Sequence, residues 1–441
     1  MNSPAARRIV EQLNRHGHIA LYAGGCVRDH LLNQPSKDID IATSATPDEV
    51  QSIFPRVTGL EGKCYGVVRV MEDHQTFEVA MFRTDGVSRD GRRPESVQKS
   101  TPEEDAKRRD FTVNGMFYDP TNEKIIDYVG GQEDLQKKII RTIGKAEERF
   151  AEDKLRLLRA IRFATKLNFE IDPETFREIQ NKSSEINAVA VERIRDELDK
   201  IWVSPSPDRG LTLLDESGLL QQILPEITAL HGVDQPPQFH PEGDVFIHTR
   251  IMLSLLNQAP LPVALAVLFH DVGKKPTYKV DETGRIRFNG HESVGARMTL
   301  QILERLRYSN EIIDEVVLAV QNHMTFKDVP KMRMSKLKRF LARATLENEM
   351  ELHRVDCLSS HADLSIYQFI RQKQQEIPAE EIKPPRLVNG NDLMAIGSKP
   401  GKVLGELLRL IEDAQLEGQL KTKEEALAFA QEKMQKIEHS S

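Results

Sequence analysis

Two aspartates separated by one residue, Asp38 and Asp40, follow the pair Gly24-Gly25 after twelve intervening residues. The alternation of residues 38–42 predicts a strand with both carboxylates on one face. Carboxylates this close repel each other unless a cation lies between them, which favours a divalent metal site. Glycines let backbone amides approach a triphosphate. An edge strand with solvated acids is the alternative for Asp-x-Asp alone, but the glycines at this distance favour metal and nucleotide binding.

Short elements around these residues are predicted to position them. Residues 18–22 read as a strand that ends at the glycines, and residues 27–32 as a helix. Residues 65–71 and 76–82 predict a paired hairpin, whose second strand carries Glu78. Glu78 is a third candidate carboxylate if its strand lies beside that of Asp38 and Asp40; otherwise it is a surface residue.

Beyond about residue 146 the sequence predicts helix after helix. Thr101, with Pro102 after it and Glu104 three positions on, marks an earlier helix start. Residues 150–167 predict one amphipathic helix. Asp153 and Arg156 would share a face of it at i and i+3, and taken alone they suggest a surface ion pair that contributes ~0.2–0.5 kcal/mol.

Composition bounds the class of protein. The 441 residues predict two to four domains, and 39% hydrophobic and 29% charged residues are ordinary for a globular protein. No membrane span is predicted, because the longest nearly apolar run, residues 259–269, is far short of ~20 residues. Three scattered cysteines and the lack of a signal peptide pattern predict a cytoplasmic location.

The net charge of −7 argues weakly against nucleic-acid binding, yet charge is unevenly distributed. Residues 331–343 carry six lysines and arginines and no acid. Affinity for RNA depends on local phosphate contacts rather than on total charge. The segment is therefore either an RNA-binding surface or a solvated helix face.

A second group of residues has the chemistry of a metal site. It consists of His248, His270, Asp271, His291, His323 and Asp356. A lone histidine in a helical protein is usually structural, but an adjacent His-Asp pair with further partners in series predicts convergence on one cation.

Several motifs in one order carry a family resemblance. They are Gly24-Gly25-Cys26-Val27-Arg28-Asp29, Arg108-Arg109-Asp110 followed by Asn114, Glu152-Asp153-Lys154-Leu155-Arg156 and Val191-Glu192-Arg193-Ile194. With Asp38 and Asp40 they resemble the polymerase-beta-type nucleotidyltransferases, and among these the bacterial class II tRNA nucleotidyltransferases and poly(A) polymerases. The histidine group resembles the HD phosphohydrolase pattern.

The resemblance implies roles for individual residues. It places Gly25 and Arg28 at the triphosphate, and Arg109 and Asp110 near the sugar. Asn114 would reach the same ribose. Asp153 and Arg156 would read the incoming base, since a carboxylate and a guanidinium complement the edges of cytosine and adenine but not those of uracil and guanine.

Four points stay open in the resemblance. Arg159 and Arg162 would serve the nucleotide phosphates or the packing of the helical neck. A loop over residues 83–94, read as mobile, disfavours an enzyme that adds only the two cytidines. The HD site would hold a second divalent metal and trim phosphates from RNA ends, or serve as a scaffold. The tail would contact tRNA.

These expectations combine into an α+β architecture. A polymerase-beta-like head with a small mixed sheet (1–145) precedes a helical neck (146–235), an HD domain (236–365) and a helical tail (366–441). The predicted activity is addition of the 3′ CCA end to tRNA from CTP and ATP with Mg2+, with no stable protein partner. An A-adding enzyme, a poly(A) polymerase, an HD phosphohydrolase acting on RNA ends, and a non-catalytic RNA-binding protein are the alternatives.

Overall fold

The computed structural model describes residues 3–36, 38–85, 97–236 and 243–438. The chain forms two compact units. The first contains Met1–Thr228 with Leu256–Gln258 and Arg305–Arg307, and the second contains Ala229–Leu255, Ala259–Glu304 and Tyr308–Ser441. The predicted loop over residues 83–94 falls mostly outside the described residues.

The first unit begins with an α+β region. Its helices are α1 (Pro4–Arg15), α2 (Gly25–Leu31), α3 (Pro47–Ile53), α4 (Pro102–Lys107) and α5 (Gly131–Lys137), with 3-10 helices η1 (Leu60–Tyr65) and η2 (Thr112–Asn114). Its strands are β1 (Ala20–Ala23), β2 (Asp40–Thr43), β3 (Val57–Thr58), β4 (Val67–Glu72), β5 (Gln75–Met81), β6 (Arg83–Asp85), β7 (Val97–Lys99), β8 (Phe117–Asp119), β9 (Lys124–Ile126) and β10 (Ile139–Ile140).

Seven of these strands form one mixed sheet. The order is β3-β4-β5-β2-β1-β8-β9, and only the β2–β5 pair is parallel. The predicted hairpin of residues 65–71 and 76–82 is confirmed as β4–β5, with Asp73 and His74 at positive φ in the turn. The helix start at Thr101 is also confirmed, because Thr101 and Glu104 form a capping box. The predicted α+β class and mixed sheet are thus confirmed.

The strand that carries the two aspartates is shorter than predicted. Asp40 is its first residue and pairs with Ala23, the last residue of β1. The chain turns at Gly24 into α2, so β1 does not continue to the level of Asp38, and the pairing of β2 with β5 begins only at Ile41. Asp38 therefore precedes the strand, and the prediction that both carboxylates share one strand face is wrong.

The helical part of the first unit follows. It consists of α6 (Ala146–Glu152), α7 (Arg156–Leu167), β11 (Glu170–Ile171), α8 (Pro173–Lys182), η3 (Ser183–Ala188), α9 (Val191–Trp202), α10 (Pro207–Glu216), α11 (Leu219–Ile223) and α12 (Pro225–Thr228). The single helix predicted over residues 150–167 is wrong, because it breaks at Asp153. Asp153 has extended backbone angles, and its carboxylate accepts a hydrogen bond from the Leu155 amide at 3.0 Å. Aspartate competes in this way with the helical hydrogen-bond ladder.

The second unit is almost wholly helical. Its elements are α13 (Val245–Ser254), α14 (Leu261–Phe269), α15 (Lys274–Thr277), β12 (Lys279–Val280), β13 (Ile286–Arg287), α16 (His291–Arg305), α17 (Asn310–Asn322), η4 (His323–Lys331), α18 (Met334–Leu341), α19 (Leu346–Ser359), α20 (Ser365–Glu376), α21 (Ala379–Ile382), α22 (Gly390–Ala395), α23 (Lys402–Leu416) and α24 (Lys423–Glu438). No helix in the described parts of the chain is long and apolar enough to cross a membrane.

The basic segment 331–343 lies against acidic residues of the same unit. Asp413 of α23 pairs with Arg333 at 2.7 Å and also with Arg339. Lys338 pairs with Glu381 at 3.1 Å. The alternative of a solvated helix face is therefore wrong for Lys338 and Arg339, whereas the Arg333 side chain stays 64% exposed.

Candidate functional site

The first unit contains an open cavity of about 540 Å³ with a strongly basic lining. Seven arginines contribute to it: Arg28, Arg108, Arg109, Arg156, Arg159, Arg162 and Arg193. Three aspartates, Asp40, Asp110 and Asp153, also line it, which leaves a formal excess of four positive charges. Such a lining attracts polyanions. All nine residues that the sequence assigned to a nucleotide line this cavity.

The candidate catalytic acids lie on and beside the central pair of parallel strands. Ile41 pairs with Val79, so Asp40 and Glu78 lie side by side on one face of the sheet. Burial raises the pKa of Asp40, Glu78 and Asp38 raise it further, and Arg109 lowers it. The acids therefore repel one another across a short distance. Their ligand oxygens do not, however, all lie within 4.8 Å of one another.

Gly24 and Gly25 form the turn between β1 and α2 at the edge of this cavity. Gly24 has φ +73°, and a Cβ atom there would lie 3.0 Å from Nη1 of Arg109. A side chain at position 24 would therefore be strained and would push Arg109 away. Arg28, three residues after Gly25, is only 3% exposed and donates to Asp29 at 2.6 Å.

A buried network connects the residues predicted to contact the ribose. Arg28 donates to the Asn114 side-chain oxygen at 2.6 Å, and the Asn114 amide donates to Asp110 at 3.1 Å. Arg159 completes the network by pairing with Asp110 at 2.9 Å through Nε. Burial raises the pKa of Asp110, but Arg159 and the hydrogen bonds outweigh it and bring the pKa to about 2. Asp110 is therefore ionised and fixed in place.

Asp153 and Arg156 both line the cavity, although they do not share a helix. Asp153 ends α6 and pairs with Arg193 at 3.0 Å, whereas Arg156 begins α7 and pairs with Glu152 at 2.7 Å. The expected i,i+3 geometry on one helix is thus wrong, and so is the alternative of a surface ion pair between them. The bend at Asp153 brings both side chains to the cavity instead.

Arg159 and Arg162 meet the cavity from α7, beside the ring of Phe163. Arg162 lies 4.1 Å from the ring centroid and pairs with Glu197 at 3.0 Å, and Arg159 lies 5.5 Å from the same centroid. Burial lowers the pKa of Arg162 to about 10, which leaves it charged at neutral pH. Phe163 also lines the cavity, and the sequence analysis missed it.

The six candidate HD residues meet in the second unit. Two groups of three ligand atoms lie within 4.8 Å of one another: His248, His270 and Asp271, and Asp271, His291 and His323. All five of these residues are buried. Asp356 lies 3.2 Å from Nε2 of His248. The residues thus form two groups that share Asp271, where the sequence predicted a single centre.

Backbone carbonyls orient three of the imidazoles. Nδ1 lies 2.8 Å from the Val267 oxygen in His270, 2.9 Å from the Phe288 oxygen in His291 and 2.6 Å from the Val320 oxygen in His323. A carbonyl oxygen accepts a hydrogen bond only from a nitrogen that bears a proton. In each ring, when it is neutral, the proton therefore lies on Nδ1 and the free lone pair on Nε2. Burial lowers the pKa of His323 to about 4, which keeps this ring neutral at pH 7.

These lone pairs face acceptors rather than donors. Nε2 of His291 and Nε2 of His323 are 3.1 Å apart. Nε2 of His270 lies 3.0 Å from Oδ2 of Asp271, and this oxygen is also paired with Nζ of Lys274 at 2.6 Å. Oδ1 of Asp271 lies 3.5 Å from His291 and 3.9 Å from His323. Facing acceptors repel unless a cation lies between them, and each Asp271 oxygen faces one of the two groups.

Gly273 permits the close approach that builds this site. A Cβ atom there would lie 2.1 Å from the backbone oxygen of His291 and 2.6 Å from the amide of Gly295. Any other residue would push the start of α16 away from Asp271. The adjoining cavity, about 760 Å³, is lined by His270, Asp271, His291 and His323 and by the cations Lys274, Arg287 and Lys327.

Comparisons with known families match three parts of the chain. Residues 20–141 match the poly A polymerase head domain, and residues 168–230 match the family described as "probable RNA and SrmB-binding site of polymerase A". Residues 294–430 match tRNA nucleotidyltransferase domain 2. The three matches follow the order of the head, the helical neck and the second unit.

Two curated proteins that are similar to this chain are both CCA-adding enzymes. The CCA-adding enzyme of Geobacillus thermodenitrificans is 46% identical over 212 residues, which cover 48% of this chain and 52% of that protein. The CCA-adding enzyme of Lactobacillus johnsonii is 40% identical over 222 residues, 50% of this chain and 55% of that protein. The chain thus spans about half the length of the curated relatives it matches.

A solved structure extends the similarity to the whole fold. The Bacillus stearothermophilus CCA-adding enzyme in complex with CTP superposes with a TM-score of 0.76 at 28% identity, over 100% of both chains. A Thermotoga maritima CCA-adding enzyme complexed with tRNA shares the fold at 18% identity, over 97% and 94% of the two chains, with a TM-score of 0.60. The chain is therefore similar to CCA-adding enzymes in sequence over about half of its length and in fold over its whole length.

Proposed function

We propose that this chain is a tRNA nucleotidyltransferase that builds the 3′ CCA end from CTP and ATP without a nucleic-acid template. The observation that carries the proposal is the cavity of the first unit, where seven arginines surround Asp40 beside a double glycine. A nucleoside triphosphate has the charge that this lining would balance. One structurally similar CCA-adding enzyme is solved in complex with CTP and another in complex with tRNA.

We propose that this transfer depends on a divalent metal, Mg2+, held by Asp38, Asp40 and Glu78. The donor set fits, because three carboxylates offer only oxygen, which Mg2+ prefers. Burial is the main cause of the raised pKa of Asp40, but Glu78 and Asp38 also raise it, and a cation between these carboxylates would relieve that repulsion. Bound metal would activate the attacking hydroxyl and stabilise the leaving pyrophosphate.

The arginines and the buried network would hold the nucleotide. Gly25 and Arg28 would bind the triphosphate, with Arg109, Arg159 and Arg162 close by. Asp110 and Asn114 already bond to each other, so a ribose hydroxyl would join an ordered network rather than organise a loose one. Contact with the 2′-hydroxyl would select ribonucleotides.

Asp153 and Arg156 would select the base. Asp153 is held by Arg193, and Arg156 donates to the backbone oxygens of Arg149 at 2.9 Å and Arg108 at 3.2 Å. Each Asp153 oxygen has one partner and can accept a second hydrogen bond, and the Arg156 guanidinium has five N–H donors, more than these contacts use. A carboxylate that accepts from the amino group and a guanidinium that donates to the ring nitrogen would accept cytosine and adenine.

The test supplies three tRNAs that lack the whole CCA end, its last two nucleotides or only the final adenosine. CTP and ATP are offered separately and together, and products are resolved on sequencing gels. We expect each tRNA to be completed and extension then to stop. Addition of adenosine alone would replace the proposal with an A-adding enzyme, and unlimited adenylate on any RNA would replace it with a poly(A) polymerase.

We propose metal-dependent phosphohydrolysis as a second activity, at the histidine site. The observation that favours it is the pair of triads sharing Asp271, because repulsion between facing acceptors is relieved by cations. His248, His270, Asp271 and Asp356 would hold one divalent ion, and Asp271, His291 and His323 another. Such ions lower the pKa of bound water and thereby supply a nucleophile.

The test for the second activity follows phosphate release from RNAs that end in a 3′-phosphate or a 2′,3′-cyclic phosphate. The protein is assayed as purified and after chelation and reconstitution with single divalent metals. We expect metal-dependent release that His270→Ala abolishes and Asp38→Asn leaves intact. Tight metal binding with no release from either substrate would assign the site a structural role.

The division into head, neck, HD domain and tail at residues 145, 235 and 365 remains our proposal, as does contact between the tail and tRNA. The boundary near Thr228 between the two units is compatible with the predicted end of the neck. A cytoplasmic location also stays a prediction.

A further inference from the structure

Asp105 lies under the arginine-lined cavity but is not part of its lining. It belongs to α4, which starts at the Thr101 capping box, and only 1% of it is exposed. A buried carboxylate is costly unless it is paired. The contacts of Asp105 therefore identify its role.

Each oxygen of this carboxylate holds one arginine of the cavity. Oδ1 accepts from Nε of Arg108 at 2.9 Å and from its Nη2 at 2.6 Å. Oδ2 accepts from Nε of Arg109 at 3.2 Å and from its Nη2 at 3.0 Å. Two side-on pairs of this kind fix the planes of both guanidinium groups.

The carboxylate stays charged despite its burial. Burial raises the pKa of Asp105, but Arg109 and Arg108 lower it by more, so the net shift is downward. The Arg83 amide also donates to Oδ1, at 3.3 Å, which anchors Asp105 to strand β6. The two like charges of Arg108 and Arg109 are thus held at neighbouring positions by a charge between them.

Arg108 and Arg109 connect Asp105 to the lining of the cavity. Arg109 packs over the Phe117 ring, 5.0 Å from its centroid, and its Nη1 lies beside the turn at Gly24. The Arg108 backbone oxygen accepts a hydrogen bond from Arg156 at 3.2 Å. Asp105 is therefore connected to the double-glycine turn through Arg109 and to Arg156 through Arg108.

We propose that Asp105 is a positioning residue for nucleotide binding, which holds Arg108 and Arg109 ready before the nucleotide arrives. Ordering two long side chains on binding weakens affinity, and an arrangement formed in advance avoids that cost. The inference rests on the proposed nucleotidyltransferase activity. It concerns a residue that would touch neither nucleotide nor metal.

The test compares Asp105→Asn with wild type in steady-state CTP and ATP incorporation. Asparagine keeps the shape but loses the charge and cannot accept from both arginines. We expect KM for both nucleotides to rise about tenfold while kcat changes less than about threefold. In an Arg109→Ala background, Asp105→Asn should have a much smaller effect, because its effect passes through the arginines.

Asp134→Asn is the matched control. Asp134 is also a buried aspartate, paired with Arg141 at 3.2 Å and with the Thr112 hydroxyl at 2.7 Å, and it does not line the cavity. We expect its nucleotide KM to stay within about twofold of wild type. An equal rise of KM in both variants would overturn the proposal, since it would indicate general loss of structure.

A second variant keeps the proposal testable if Asp105→Asn does not fold. Asp105→Glu retains the charge on a longer side chain, and we expect a rise in KM that is smaller than that of Asp105→Asn, about threefold. An unchanged KM in every folded Asp105 variant overturns the inference alone. Absence of any nucleotide incorporation by wild type overturns the proposed function, and this inference with it.

Discussion

The acidic site of the first unit and the histidine site of the second unit differ in how far the protein assembles them on its own. Asp38, Asp40 and Glu78 each keep part of their surface exposed to solvent, and their oxygens do not all lie within 4.8 Å of one another. In the histidine site, five buried ligands lie in two groups that do meet this distance. Three of the imidazoles are also oriented by backbone carbonyls.

The difference follows from where the remaining ligands come from. Mg2+ in nucleotide sites usually keeps water and takes oxygens from the substrate phosphates, so the protein supplies only one or two carboxylates. A site built from histidines supplies nearly all of its own ligands. The first site is therefore expected to be completed by its substrate, and the second to be formed in advance.

The largest expected effect is the loss of nucleotide incorporation in a variant that retains phosphate release. Asp40→Asn removes a candidate Mg2+ ligand, and a loss of several kcal/mol of transition-state stabilisation predicts a fall of roughly a thousandfold or more in nucleotide incorporation. Phosphate release by the same variant should equal that of wild type. Incorporation at the wild-type rate would mean that the acidic pair is not the catalytic centre.

Metal retention by the free protein tests the comparison directly. We expect dialysed wild type and Asp40→Asn to retain the same amount of divalent metal, measured by mass spectrometry. His323→Ala should lose about half of it, because one of two groups that share Asp271 loses a ligand. If Asp40→Asn lost the metal and His323→Ala retained it, the acidic site rather than the histidine site would be the one formed in advance.

Nucleotide choice sharpens the description of the acidic site. Asp153→Ala removes an acceptor for the amino group of cytosine and adenine, and a loss of about 1–3 kcal/mol predicts a fall of roughly tenfold to a hundredfold in preference for CTP and ATP over UTP and GTP. Glu148→Ala, a change at an exposed residue of α6 that pairs with Lys145, is the control and should leave the preference unchanged. Equal loss in both variants would count against base reading by Asp153.

The smallest effect concerns the stability of the network around the ribose. The pKa of Asp110 is about 2, below its ordinary value of 3.8, so ionised Asp110 stabilises the folded protein above pH 3.8 and this contribution is lost as the pH falls through 2. We expect the difference in free energy of unfolding between wild type and Asp110→Asn to shrink by about 2 kcal/mol from pH 5 to pH 2. Denaturant titrations at each pH measure it, and a constant difference would contradict the assigned pKa.

Local patterns allowed much of the fold to be predicted. The β4–β5 hairpin and the capping box at Thr101 depend on residues a few positions apart, and both are present. The same holds for Asp105, which stands three and four residues before Arg108 and Arg109 and could have been recognised as their partner from helical spacing. The break at Asp153 was missed because amphipathic periodicity continues through it, although a single side chain ends the helix.

By itself the sequence determined the chemistry of both sites, because carboxylates, arginines, glycines and histidines in these orders limit what can bind. Only the tertiary structure decided which charges meet. Arg193 reaches Asp153 across forty residues of chain, and Asp413 neutralises Arg333 across eighty. Such pairs depend on how helices pack, since the chain between two partners imposes no fixed distance on them. The sharing of Asp271 between two histidine groups likewise required four helices to converge.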